Sequence, residues 1–312
     1  MPPSRPSRAL LVFLDGVGIG PADPERNPFA RAKLPNLRRL LGGRLPVADD
    51  LDAEGRIVGG DAVLVAADAT LGVAGVPQSG TGQTALLTGR NAAAEYGRHF
   101  GPWVPTGLRE LLAAENLLVR AVNAGAAAAF ANAYPIASID ADPRIFRRPA
   151  APPLAARAAG VLTRDLPELA RGDAIASSIT NERWREHLGD ELAEVTAAEA
   201  GRRLARIAAG VEVTLFAHYD TDYAGHRGAM PGAVAALERV DAFLGGIAGA
   251  LPDDALLVVG SDHGNVEDVS GGHTTNPVPV LALGAGSGDF AGRVRDITLV
   301  APALLEMLGM GR

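Results

Sequence analysis

The chain has 312 residues, which suits one large α/β domain with an insertion, or about two domains. It carries 29 basic and 36 acidic residues, and the net charge of −7 argues against a surface built to coat nucleic acid. Hydrophobic residues make up 47%, which excludes wholesale disorder, and the absence of cysteine excludes disulfides, thiolate metal sites and a cysteine nucleophile.

No part of the sequence looks like a signal peptide, because the apolar run that follows the first two arginines is too short. The longest apolar stretch, AVNAGAAAAFANAYPIASI, is mostly alanine and is too weakly apolar to span a bilayer. We therefore expect a cytoplasmic protein that has no membrane contact. The sequence leaves its oligomeric state open.

The first predicted element is a buried parallel strand at residues 9–14 (ALLVFL), which is a continuous apolar run ending in the glycine-rich DGVGIG. A helix with a glycine stop and a region of loops and short strands come next. They are followed by a turn that opens a helix, an amphipathic helix and a buried strand. The helix with the glycine stop is predicted at 35–43 and the loops and short strands at 45–75. The turn and the helix that it opens are predicted at 77–90, the amphipathic helix at 107–125 and the buried strand at 126–134.

The character of the chain changes between residues 135 and 195, where prolines and arginines are frequent and the helical pieces are less apolar. We interpret this segment as a small inserted cap. Residues 1–134 and 196–312 would then form one discontinuous core. Three arginines of the cap, and one before it, are candidate clamps for an anionic substrate, although a solvated surface or inter-domain salt bridges are an equally good interpretation. They are Arg98, Arg144, Arg147 and Arg148.

The last part of the chain alternates helices with apolar strands. The predicted helices are 197–210, 233–251 and 301–309, and the predicted strands are 211–219, 255–264 and 277–284. This alternation predicts an α/β fold with a doubly wound, mostly parallel sheet that helices cover on both faces.

Polar clusters directly follow several of the predicted strands, and ligands of open α/β sheets bind outside the carboxyl ends of strands. Three aspartates and three histidines gathered at one sheet edge are the composition of a two-metal site, because carboxylate and imidazole suit Zn, Mn and related ions. The six residues are Asp15, Asp222, His226, Asp262, His263 and His273.

Each cluster also has an ordinary structural interpretation when it is taken alone. Asp15 could form a turn, Asp222 and His226 could be a surface pair, and the SGTGQT segment at 79–84 could be a flexible loop with a helix cap. The functional interpretation is favoured because all of them fall at strand ends of one predicted sheet.

Five segments carry a resemblance to a known family: LDGVGIG (14–20), SGTGQTALLTGR (79–90), DTDYAGH (220–226), SDHGNVE (261–267) and HTTNPVPV (273–280). In this order they resemble the alkaline phosphatase superfamily, and within it the metalloenzyme domain shared by cofactor-independent phosphoglycerate mutase and phosphopentomutase. The resemblance covers about residues 9–133 and 196–312. It implies an alkaline-phosphatase-like core, while the segment between the two parts matches neither relative.

By this resemblance, one metal ion would be held by Asp222, His226 and His273. The second would be held by Asp15, Asp262, His263 and the oxygen of the nucleophile, for which the family spacing indicates Ser79, ten residues before Gly89. Thr81 is the alternative nucleophile. Mn or Zn fits a site with three histidines better than Mg does.

The implied function is metal-dependent phosphoryl transfer by a phosphatase or phosphomutase that acts through a serine nucleophile on a small phosphoester. A phosphodiesterase or nucleotide pyrophosphatase on the same core is one alternative. A non-catalytic, metal-binding regulatory protein is another, although every expected ligand type is present in the sequence.

Overall fold

The computed structural model describes residues 5–227 and 229–311, apart from the side chain at position 145. Its centre is a seven-stranded sheet in the order β2-β3-β7-β6-β1-β5-β4. The strands are β1 (Arg8–Leu14), β2 (Arg56–Gly59), β3 (Ala62–Ala67), β4 (Ala128–Phe130), β5 (Val213–His218), β6 (Ala255–Gly260) and β7 (Val278–Gly284).

The sheet is mostly parallel, as the sequence predicted. β1 is parallel to both β5 and β6, and β4 is parallel to β5. β7 is antiparallel to β6, β3 is antiparallel to β7, and β2 is antiparallel to β3, so only β2 and β7 run against the others. The loop that precedes β7 therefore lies at the same sheet edge as the loops that follow β1, β5 and β6.

Helices cover both faces of the sheet. They are α1 (Pro35–Leu40), α2 (Ser79–Thr88), α3 (Ala92–Tyr96), α4 (Arg109–Glu115), α5 (Leu117–Asn123), α6 (Ile136–Ala141), α7 (Ala151–Ala158), α8 (Leu166–Arg171), α9 (Glu182–Leu188), α10 (Ala197–Ala208), α11 (Asp220–His226), α12 (Met230–Ala248), α13 (Ser287–Arg293) and α14 (Val300–Met307). No helix of the described ranges is long and apolar enough to cross a membrane.

The alternation of side chains along β1 explains the two hydrophobic layers. Leu11 and Phe13 belong to the cluster that contains α2, α4, α5, α7 and α14, whereas Leu10 and Val12 belong to the cluster with α10 and α12. Successive side chains of a strand point to opposite faces, so a strand covered on both faces must be apolar throughout. The continuous apolar run of residues 9–14 is the sequence signature of this arrangement.

Two predicted elements differ in detail. The single helix predicted at 107–125 is two helices, because Asn116 ends α4 in an extended conformation and its side chain accepts hydrogen bonds from the amides of Leu118 and Val119 at the start of α5. Asparagine competes with helical hydrogen bonding in this way and favours helix caps. The DTDYAGH segment, which the prediction left outside any regular element, forms α11.

The segment from 135 to 195 divides between two environments. Ala151, Ala155 and Ala156 of α7 are fully buried in the same cluster as β1 and α2. A separate small cluster gathers residues of α8 and its neighbours, including Leu169 and Leu192. The division into a discontinuous core and a cap at 135–195 stays a prediction.

Candidate metal centre

The first group of candidate ligands lies on and beside α11. Asp222 and His226 are four residues apart on this helix, so their side chains share one face. His226 Nε2 is 3.3 Å from Asp222 Oδ2, and His273 Nε2 is 3.4 Å from Asp222 Oδ1. The two histidine Nε2 atoms are 3.0 Å apart. Nδ1 of His273 lies 3.0 Å from the carbonyl oxygen of Pro77, and this contact orients the ring so that Nε2 faces the group.

The second group lies at the ends of β1 and β6. His263 Nε2 is 3.3 Å from Asp15 Oδ1 and 3.6 Å from Asp262 Oδ2. The ligand atoms of Asp15, Asp222 and His263 all lie within 4.8 Å of one another, as do those of the α11 group. Asp222 therefore lies close to both groups, which makes them neighbours. Asp262 is in neither of these two 4.8 Å clusters and adjoins the second through its 3.6 Å contact with His263.

The serine predicted as nucleophile is next to the second group. Ser79 is the first residue of α2, its Oγ lies 3.0 Å from Nε2 of His263, and the residue is only 3% exposed. Thr81 is directed elsewhere, because its hydroxyl lies 3.2 Å from the carbonyl oxygen of Gln78 and accepts a hydrogen bond from the amide of Phe100. The geometry therefore brings Ser79 to the ligands and engages Thr81 in the surrounding loop.

The carboxylates of the centre perturb one another strongly. Burial, and then the charge of Asp222, raises the pKa of Asp15 well above its ordinary value. Burial, and then the charge of Asp15, raises the pKa of Asp262 in the same direction. Partial burial opposes the ionisation of Asp222, but the hydrogen bond with His273 and the charge of His263 outweigh it and lower the pKa to about 2.

The chemistry of this donor set fits divalent cations. Asp15 Oδ1 and Asp262 Oδ2 are buried and have no hydrogen-bond partner within the described ranges. Buried polar atoms are nearly always paired, so two such oxygens beside histidine nitrogens indicate that a positively charged ligand belongs there. Nitrogen and oxygen donors of this kind suit first-row metal ions.

Glycine at position 16 is required for the close approach of β1 and α11. Gly16 has a φ of +67°, and a Cβ atom placed there would lie 2.5 Å from Oδ1 of Asp222. Any side chain at this position would therefore strain the backbone and displace a candidate ligand. The glycine-rich turn after Asp15 follows from this steric requirement.

Three supporting side chains were not assigned roles from the sequence. Asn265 donates to Asp222 Oδ1 at 2.6 Å, and the buried Glu267 accepts from the amides of Asn265 and Gly18. Both residues lie in the SDHGNVE segment, so the sequence could have indicated them through their place in that motif. Gln83 donates to Asp15 Oδ2 at 3.1 Å, and its signals were its place in the SGTGQTALLTGR segment and its position one helical turn after Ser79.

The four arginines predicted to bind substrate are all exposed. Arg144 forms two hydrogen bonds with Asp142, and the guanidinium carbon of Arg148 lies 4.4 Å from the ring centroid of Trp103. Within residues 5–227 and 229–311, no hydrogen bond or ion pair joins Arg98 or the other three to a candidate metal ligand. Their role stays a prediction.

Residues 193–311 match the metalloenzyme superfamily. The 2,3-bisphosphoglycerate-independent phosphoglycerate mutase of Paracoccus denitrificans is 37% identical over 133 residues, which are 39% of this chain and 26% of that protein. The enzyme of the same name from Halobacterium salinarum is 38% identical over 113 residues, which are 32% of this chain and 22% of that protein. The matched part thus spans about a quarter of the length of these relatives.

The solved structure of the PH0037 protein from Pyrococcus horikoshii has a TM-score of 0.58 and covers 99% of both chains at 13% identity, so it supports the fold alone. The family match includes Asp222, His226, Asp262, His263 and His273 but neither Asp15 nor Ser79. Over residues 193–311, the match confirms the resemblance to the metalloenzyme superfamily and to cofactor-independent phosphoglycerate mutase that the motifs indicated.

Proposed function

We propose that this chain is a two-metal-dependent phosphoryl-transfer enzyme, a phosphatase or phosphomutase that uses Ser79 as its nucleophile. The observation that carries the proposal is the position of Ser79 Oγ, 3.0 Å from His263 Nε2 beside two adjoining groups of candidate ligands. The phosphoglycerate mutase name of the partial relatives supports the same reaction class.

In this proposal, Asp222, His226 and His273 hold one divalent ion, and Asp15, Asp262 and His263 hold the other, with Ser79 Oγ beside it. Mn or Zn is the expected metal, because three of the ligands are imidazoles. Such ions lower the pKa of a coordinated hydroxyl and neutralise the charge on phosphoryl oxygens.

The chain's own residues then carry out the transfer. Ser79 Oγ gives its proton to solvent water and forms a bond to phosphorus, while the ester bond to the leaving oxygen breaks and that oxygen takes up a proton from solvent. The amides of Ser79 and Gly80 at the start of α2 favour the anion, because the first N–H groups of a helix lack partners inside the helix. The amide of Thr81 is already used, because it donates to the carbonyl oxygen of Phe100. The phosphoryl group on Ser79 then passes to water in a phosphatase, or to another oxygen of the substrate in a mutase.

The substrate of the proposed enzyme is a small phosphoester. An open depression of about 260 Å³, lined by Val76, Gln78, His226 and His273, supports access to the α11 group from solvent next to the start of α2. Arg98, Arg147 and Arg148 are offered as contacts for a second anionic group of the substrate, together with Arg144 if it releases Asp142.

A phosphoester screen with Mn, Zn and Mg tests the proposal, with free phosphate and isomerised product measured separately. Rapid quench with an active substrate, followed by fragmentation mass spectrometry, should find phosphate on Ser79. Faster turnover of diesters than of monoesters would indicate the phosphodiesterase alternative. Protein that holds no stoichiometric metal and turns over no ester would contradict the proposal and favour a non-catalytic role.

A further inference from the structure

The side chain of Gln83 joins a candidate metal ligand to a distant helix. Gln83 lies on α2, one turn after Ser79, and is 1% exposed. Its Nε2 donates to Asp15 Oδ2 at 3.1 Å, and its Oε1 accepts from the amide of Ala151 at 3.1 Å. Both contacts span 68 residues of the chain, so only the folded state brings the three residues together.

The contact with Ala151 determines which way the amide of Gln83 faces. Ala151 is the first residue of α7, its cap residue Ala150 has no side-chain oxygen, and prolines occupy the next two positions. The Ala151 amide therefore needs an external acceptor, and Gln83 Oε1 supplies it. A flipped amide would place two donors face to face, so Nε2 must point at Asp15.

The same contact leaves the other oxygen of Asp15 free. Oδ2 receives the Gln83 donor, whereas Oδ1 has no hydrogen-bond partner in the described ranges and lies 3.3 Å from His263 Nε2. A donor held on one oxygen stabilises the ionised carboxylate and fixes its plane, so that the free oxygen faces the other ligands. Side chains that orient metal ligands in this way contribute about 10-fold to 100-fold to metal affinity.

We propose that Gln83 is a positioning residue for the Asp15 metal site, and that it couples this ligand to the first turn of α7. The inference rests on the proposed function only in requiring that Asp15 binds a metal ion. The role of Gln83 differs from that of Asn265, which contacts Asp222 from the same loop that carries Asp262 and His263. Gln83 instead connects the ligand to the segment that follows Arg147 and Arg148.

The test measures metal affinity, by competition with a chromogenic chelator on protein that has first been stripped of metal. Gln83→Met keeps the length of the side chain and removes both hydrogen bonds, and it should weaken one of the two sites about 10-fold to 100-fold. The matched control is Thr84→Val on the same helix, because it removes an equally buried hydrogen bond, to the carbonyl of Gly80, that does not involve Asp15.

Gln83→Met removes two buried hydrogen bonds and Thr84→Val removes one, so Gln83→Met should destabilise the metal-free protein more, but only Gln83→Met should change metal affinity. Unchanged affinity at both sites in Gln83→Met, or an equal loss in Thr84→Val, would overturn the positioning role. Wild-type protein that binds no metal would instead contradict the proposed function. The two failures are therefore distinguishable without measuring turnover.

A second variant tests the same link from α7, and is available if Gln83→Met fails to fold. Ala151→Pro removes the donor that orients Gln83, and the first position of a helix accepts proline. Ala150 has φ −65° and ψ 168°, an extended conformation that suits a residue before proline. A weakened Asp15 site in this variant supports the coupling to α7, and unchanged affinity contradicts it.

Discussion

The edge of the sheet that carries the candidate metal ligands and the segment from 135 to 195 contrast in how their charged residues are held. At the sheet edge, Asp15, Asp262 and His263 are buried, and their spacing is set by strands β1 and β6. In the segment, Arg144 and Arg171 are exposed and pair with acidic residues two or three positions away. The core thus concentrates charge that needs an external partner, whereas Arg144 and Arg171 of the segment are neutralised by acidic residues close to them in the chain.

This difference matters because buried and exposed charges have different energetic consequences. An exposed ion pair contributes little to stability, with a median of about 0–1 kcal/mol. Buried carboxylates without partners are costly unless a cation compensates them. We therefore expect substitutions at the sheet edge to change the chemistry and the stability together. Substitutions of the exposed arginines should change, at most, the binding of substrate.

The largest effect is expected from Ser79→Ala, which removes the proposed nucleophile from the sheet edge. Turnover should fall by about 1,000-fold or more, as it does when a covalent nucleophile is lost, while the fold and most of the metal should remain. Thr81→Ala is the control, since the Thr81 hydroxyl is engaged by the loop at Phe100 and its loss should be much milder. Wild-type turnover in Ser79→Ala would require another nucleophile.

The position of the candidate ligands at the ends of β1, β5 and β6 was predictable from the sequence, because buried parallel strands place their carboxyl ends at one edge. The sequence grouped His273 with them although it precedes its strand, and the structural reason is that β7 runs antiparallel and begins at that edge. Hydrophobic periodicity carries no information on strand direction. The link from Gln83 to Ala151 could not be predicted either, because it depends on a packing contact between α2 and α7.

Removal of metal should give an effect of comparable size. Chelation should abolish activity and lower thermal stability, since a ligand that binds only the folded state at 100 times its Kd stabilises that state by about 2.7 kcal/mol. His273→Ala should empty the α11 site and leave the site at Asp15 and His263 partly filled, as measured by elemental analysis. Unchanged metal content in that variant would contradict the ligand assignment.

The dependence of stability on pH should separate the metal-free protein from the metal-loaded one. Because the folded-state pKa values of Asp15 and Asp262 are raised, their neutral forms favour folding, and this contribution is lost as the pH rises from about 4 through the raised values. The lowered pKa of Asp222 acts in the opposite direction, but its contribution is lost only as the pH falls from about 4 toward about 2.

Urea denaturation of chelated and reloaded protein at about pH 5 and pH 8 measures this effect. The stability gained on adding metal should be larger at the higher pH, because the metal then compensates carboxylates that are ionised. The difference between loaded and chelated samples cancels titrating groups that lie far from the centre. An equal gain at both pH values would show that the buried carboxylates are not what the cations neutralise.

The smallest effect is expected from the exposed arginines. Replacing Arg147 and Arg148 by glutamine should raise KM about threefold to tenfold for an active phosphomonoester that has a second anionic group, because hydrogen bonds to charged groups are worth about 1.5–3 kcal/mol and solvent screening lowers that value. Turnover of p-nitrophenyl phosphate should hardly change, since this ester offers no second anion.

Arg148 also stacks on Trp103, so Arg148→Lys keeps the charge and tests the contribution of that packing. Equal losses on both esters would mean that the substitutions disturb the packing of the segment, and that these arginines do not hold the substrate.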